Sequence, residues 1–286
     1  MLKVTHFKRP LGHLFRVGVF LLGMLLPGFL EAETKAKPYS DLLQMGFQHL
    51  HEERPEAAIE KFESVLKQEP GHALAGYGKA ASFFKLRRYE DTLALLNQVL
   101  EQHPEDLNTL NLRAITYYNQ HQFEPAIQDF IKASTLDPLE GYFLECLAWA
   151  YLCAGRVTDA SNTALQANSL YQRSGEDASF TLLVAYLAFR LDNNPGEALK
   201  VLRFASESMD PIDWPFPVVD YYRGTLDEVG LIVEVDTLPE ETEARTYIAI
   251  KKILEEDFQS ARQYLDWVVK RGHPEVFEHT YAQVLL

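Results

Sequence analysis

His49 and His51 are the side chains nearest to a metal-binding pair, but two residues apart on a helix they leave in different directions. No HExxH run occurs, and no histidine pair has the spacing of metal ligands. Cys146 and Cys153 are the only cysteines. Seven residues of helix separate them by about 10.5 Å of rise, too far for a disulfide, so they read as two small core residues. A GxSxG nucleophile turn and a glycine-rich phosphate loop are both missing. The acid runs Glu52-Glu53, Glu240-Glu241 and Glu255-Glu256-Asp257 read as solvated helix ends and loops. Catalysis, metals and cofactors thus have no candidate residues. What remains is binding, through aromatic rings that supply area and asparagine amides that pair with a peptide backbone.

The elements that would position those side chains follow from a returning proline. Pro70, Pro104 and Pro138 lie 34 residues apart, each behind an apolar segment of helical period: KFESVLKQEP, LLNQVLEQHP and FIKASTLDP. A fixed period of that size marks stacked helix–turn–helix units. Units of this kind fall at 39–72, 73–106, 107–140 and 141–174, the fourth with Gln172 in place of the proline. Small residues such as Gly46, Ala58, Ala80, Ala114, Ala126, Ala148 and Ala160 let paired backbones approach. Aromatics such as Phe62, Tyr89, Tyr117, Phe123, Phe130 and Tyr151 fill the space between units, and proline ends the second helix because it cannot continue the hydrogen-bond ladder.

These residues resemble the tetratricopeptide repeat (TPR), with small residues at the eighth and twentieth positions, aromatics at the eleventh and twenty-fourth, and proline near the end. The resemblance implies an all-α, right-handed solenoid in which the first helix of each pair lines an inner groove. Carried onto this chain, its groove positions include Phe47 and Leu50, Tyr77 and Phe84, Asn108 and Asn111, Tyr118 and Asn119, Tyr142 and Trp149, with Tyr186 and Arg190 from a fifth pair. The basic residues of a carboxylate clamp are replaced by Asn108 and Leu112, so capture of a C-terminal carboxylate is not expected. The same rings could instead pack against the chain's own Met209–Pro239 stretch or against a dimer mate.

Beyond Ser174 the period loosens. Phe180–Leu191 and Pro195–Ser208 make the fifth pair, and residues 209–239 form a proline- and aromatic-rich insert with a short helix at Val218–Arg223. Glu240–Glu256 and Phe258–Lys270 make a sixth pair, and HPEVFEHTYAQVLL a closing helix that shields the last apolar face. Residues 210–286 resemble the C-terminal part of exported bacterial repeat proteins of the NlpI lipoprotein kind, although no cysteine stands where a lipid anchor would attach.

Residues 1–32 carry a basic start, the apolar run Val17–Leu30 interrupted by Pro27, and Leu30-Glu31-Ala32. That is the layout of a signal peptide and is short for a membrane span. Residues 33–38 form a polar tether. Export to the bacterial periplasm or envelope is expected, with an uncleaved inner-membrane anchor as the alternative.

The chain carries −14. Without residues 1–32, which hold Lys3, Lys8, Arg9, Arg16 and the single acid Glu31, the body carries −17 and repels phosphate backbones. The expected role is a non-catalytic scaffold or adaptor holding peptides or proteins, envelope enzymes among them. The alternative is a self-associating structural protein, a homodimer, whose groove is filled from within or by its mate.

Overall fold

The computed structural model describes residues 39–286; the export segment and the tether lie outside them. Among the described residues the chain is helical throughout, with no strand. The helices come in pairs: α1 (Ser40–His51) with α2 (Pro55–Leu66), α3 (Ala73–Lys85) with α4 (Tyr89–Gln102), and α5 (Leu107–Asn119) with α6 (Phe123–Leu136). They continue as α7 (Gly141–Cys153) with α8 (Val157–Ser174) and α9 (Ser179–Leu191) with α10 (Pro195–Ser208). Two short helices, α11 (Phe216–Arg223) and α12 (Glu228–Val233), precede α13 (Leu238–Leu254), α14 (Phe258–Arg271) and the closing α15 (Phe277–Leu285). The all-α class and the six pairs with a closing helix agree with the expectation. The insert is more helical than its composition suggests: α12, over the helix-poor run EVGLIV, starts because the Asp227 carboxylate accepts from the Gly230 N–H at 2.7 Å.

One turn joins the members of every pair. Its left-handed residue is in turn Glu53, Arg87, His121, Gly155, Asn193 and Glu256, the first four again 34 apart. The N–H of the next residue reaches back five positions, as in Arg54 to His49 O (2.8 Å), Arg88 to Phe83 O (2.9 Å), Gln122 to Tyr117 O (2.9 Å) and Asp257 to Lys252 O (2.8 Å). That bond satisfies a carbonyl orphaned at the helix end and turns the chain back on itself.

The helices gather into two compact units, one ending at Leu112 and one running from Arg113 to Leu286, with the division inside α5. In the first, the fully buried Phe62 of α2 is clasped by two glycines. A Cβ on Gly46 of α1 would come within 2.7 Å of its ring, and one on Gly78 of α3 within 2.4 Å. In the second, Ala160, Ala164 and Ala167 of α8 and Ala185 of α9 are wholly buried and let those helices close on each other. Ala249, Leu265, Val268 and Ala282 join α13, α14 and α15.

A candidate interaction trough

In the first unit α1 and α3 are neighbours, which brings the first helices of two pairs to one face. Phe47 is half-buried, its ring edge-on to Phe62 at 5.0 Å. Tyr77 and Asn108 are also half-buried. Leu50, Phe84 and Asn111 are buried, Phe84 against Tyr89 at 5.7 Å.

In the second unit the expected groove residues meet other parts of the same chain. Phe277 of α15 lies edge-on to Tyr118 of α5 at 5.0 Å and parallel to Trp149 of α7 at 6.1 Å. Tyr281, one turn further on, meets Trp149 edge-on at 6.1 Å. The Tyr118 hydroxyl donates to the Phe277 carbonyl at 3.0 Å and lies 3.1 Å from Cys153 Sγ. Thr280 donates to Asn119 Oδ1 at 3.3 Å, and His121 Nε2 is 2.9 Å from Gln283 Oε1. Trp149 is wholly buried, and Tyr118 and Tyr142 nearly so. The α9 end is covered by the insert: Tyr222 of α11 packs on Tyr186 at 4.7 Å and donates to the Tyr247 carbonyl at 2.9 Å. Arg190 stays half-exposed and donates to the Tyr186 hydroxyl at 3.0 Å.

Three carboxyls are buried within reach of one another's charge, Glu278 of α15 with Glu145 of α7 and Glu243 of α13. Tyr171 donates to Glu145 at 2.6 Å, Tyr247 to Glu278 at 2.7 Å, and the Trp214 indole to Glu243. Burial, reinforced by the charge of Glu145, pushes Glu278 up to about 7. Burial and then the charge of Glu278 hold Glu243 well above the carboxylate range. Burial likewise pushes the Cys153 thiol up to about 12, which keeps it protonated and a poor nucleophile. Both cysteines are buried and not joined in a disulfide, and among the described residues no histidine, cysteine and acid cluster is arranged to hold a metal.

Of the expected rings, Tyr118 and Trp149 both border Phe277 of the chain's own α15, whereas Tyr186 meets Tyr222 of α11 and Tyr142 its neighbour Phe143. The part of Phe277 and Tyr281 as occupants escapes sequence reasoning, because a closing helix and a groove-filling helix have the same apolar pattern. Glu278 is the one readable sign: an acid buried among the apolar residues of that pattern has to be accommodated by something.

Comparison with known proteins places the repeats. The family described as "Psidin, N-terminal TPR repeats region" matches residues 45–204. The Phagocyte signaling-impaired protein of Drosophila pseudoobscura pseudoobscura is 24% identical over 234 residues, 82% of this chain and 22% of that protein. DnaJ homolog subfamily C member 3 of Bos taurus is 30% identical over 100 residues, 34% of this chain and 20% of that protein. The chain thus spans about a fifth of the length of the curated relatives it matches. Among solved structures, the apo form of RapI has a TM-score of 0.66 at 14% identity, covering 82% of this chain and 97% of that one. A tetratricopeptide repeat protein from Parabacteroides merdae has a TM-score of 0.63 at 14% identity, covering 87% and 99%. At such identities the likeness is one of fold. The likeness of residues 210–286 to NlpI-type lipoproteins is not shown by these matches.

Proposed function

The chain belongs to the family of Psidin N-terminal TPR repeat regions, and on that premise we propose that it is a non-catalytic scaffold holding peptide segments or protein partners against the first helices of its pairs. The observation that carries this reading is the face formed by α1 and α3, where Phe47 and Tyr77 stay only half-buried, with Asn108 of α5 half-buried as well. Flat rings beside an amide offer contact area at little entropic cost, together with a group that can pair with a partner's backbone. We place this scaffold in the bacterial cell envelope, exported by residues 1–32, with envelope enzymes among its partners. The negative body makes nucleic acid an unsuitable ligand.

The test is photo-crosslinking in the native cell, with a light-activated amino acid at Phe47 or at Tyr77, followed by mass spectrometry. Specific protein adducts from these positions, and none from the buried Leu96, are expected. Adducts no different from those of the buried control would overturn the reading, and the compartment of the captured proteins tests the proposed location. A second reading, self-association, draws on the filled second-unit trough; sedimentation showing a monomer at high concentration dismisses it.

A further inference from the structure

The helix that fills the second-unit trough is imperfectly matched to its seat. Trp149, wholly buried beneath Phe277 and Tyr281, has an indole N–H with no hydrogen-bond acceptor. A buried donor left unpaired forfeits its bond to water without a replacement. The same helix carries Glu278 into a setting where the facing groups are Glu145 and Cys153 of α7, Tyr118 of α5, and Glu243 and Tyr247 of α13. Two of those groups are themselves buried acids. The aromatic part of the seat, by contrast, is well made: a parallel ring contact, two edge-on contacts and a hydroxyl bonded to the first carbonyl of the helix. The short stretch 272–276 joins α15 to α14.

We propose that this trough is a receptor for a short amphipathic helix of another protein and that α15 is its resident, displaceable occupant. The fitting helix has aromatic residues at i and i+4, in the places of Phe277 and Tyr281, and an amide or hydroxyl acceptor for the Trp149 indole. It brings no acid to the position of Glu278. This is binding of a helix in a groove, and occupation by α15 lowers the apparent affinity for any competitor by the fraction of molecules that are closed. The inference rests on the scaffold reading above and goes further by specifying the partner's chemistry for the second unit.

The probe is a fluorescent peptide of residues 274–286 carrying Glu278→Gln, added to the full chain and to the full chain with Phe277→Ala and Tyr281→Ala. The weakened chain is expected to bind at least ten-fold more tightly than the unaltered one. A peptide lacking both rings, or a weakened chain that also carries Tyr118→Ala, is expected to lose that binding. A weakened chain that melts cooperatively yet fails to bind, or binds whether or not the rings and Tyr118 are present, overturns the proposal. Hydrogen exchange on the unaltered chain is the second measurement, in case the weakened chain does not fold. Amides of 277–285 are expected to exchange by local opening, and exchange only through global unfolding overturns displaceability. Should the peptide arms fail while Phe47 and Tyr77 still crosslink partners, this inference falls alone. Failure of both takes the scaffold reading with it.

Discussion

Glu278 shows how a single side chain ties stability to pH. Its carboxyl is favoured in the protonated form in the folded chain, with a value of about 7 against an ordinary 4.5. The associated stability is therefore fully present below about pH 4.5 and is lost as pH rises through 7, by an amount on the order of 3 kcal/mol at most. Glu243, raised for the same reason, acts in the same direction. Glu278→Gln keeps the shape and an acceptor for the Tyr247 hydroxyl. Its urea midpoint is expected to match the unaltered chain at pH 5 and to exceed it at pH 8; parallel midpoints across that range would contradict the assignment. Tyr118→Phe removes the bond to the Phe277 carbonyl together with the hydroxyl's contact with Cys153 Sγ and should cost about 1 kcal/mol, read as a lower melting temperature with unchanged helix content. Neither role is visible in the sequence, where Tyr118 and Glu278 are 160 positions apart and nothing local marks them as neighbours.

At the scale of elements, the recurring turn carries an avoidable cost. Five of its six left-handed residues are not glycine, and an L side chain there is strained. Glu256→Gly, at an exposed site, is expected to raise stability by up to about 1 kcal/mol by removing that strain, less what glycine adds to the freedom of the unfolded chain. A lower melting temperature would show that the unfolded-state term wins. Gly78→Ala tests the opposite situation. Its new Cβ meets the ring of the fully buried Phe62, and overpacking of that kind costs about 1–3 kcal/mol. Ala126→Trp should cost a similar amount in the third pair, since Ala126 has no exposed surface. The small residues and the proline period made these pairs legible. Helix α12 was not, because its Val, Ile and Gly favour other conformations and its start is held by the Asp227 cap and by Tyr264 and Lys252 on Glu228, the last two remote in sequence.

At the scale of the whole molecule, the net charge and the opening residues make predictions that need no coordinates. N-terminal sequencing of the protein recovered from its host is expected to begin at Glu33, and a start at Met1 would favour the uncleaved anchor. The paired-helix architecture was likewise determined by the sequence alone, because each pair is specified by residues within one 34-residue period: small ones where backbones touch, aromatics between units, a breaker at the end. The candidate groove positions rest on the same register, since register within a pair decides which side chains share a face. Only the tertiary structure decided what lies against that face. The second unit closes over Tyr118, Trp149 and Tyr186 with α15 and α11, segments far along the chain. An apolar helix stripe gains about the same free energy against any apolar surface, so its pattern records that it must be buried and leaves the choice of partner to the geometry of the folded chain.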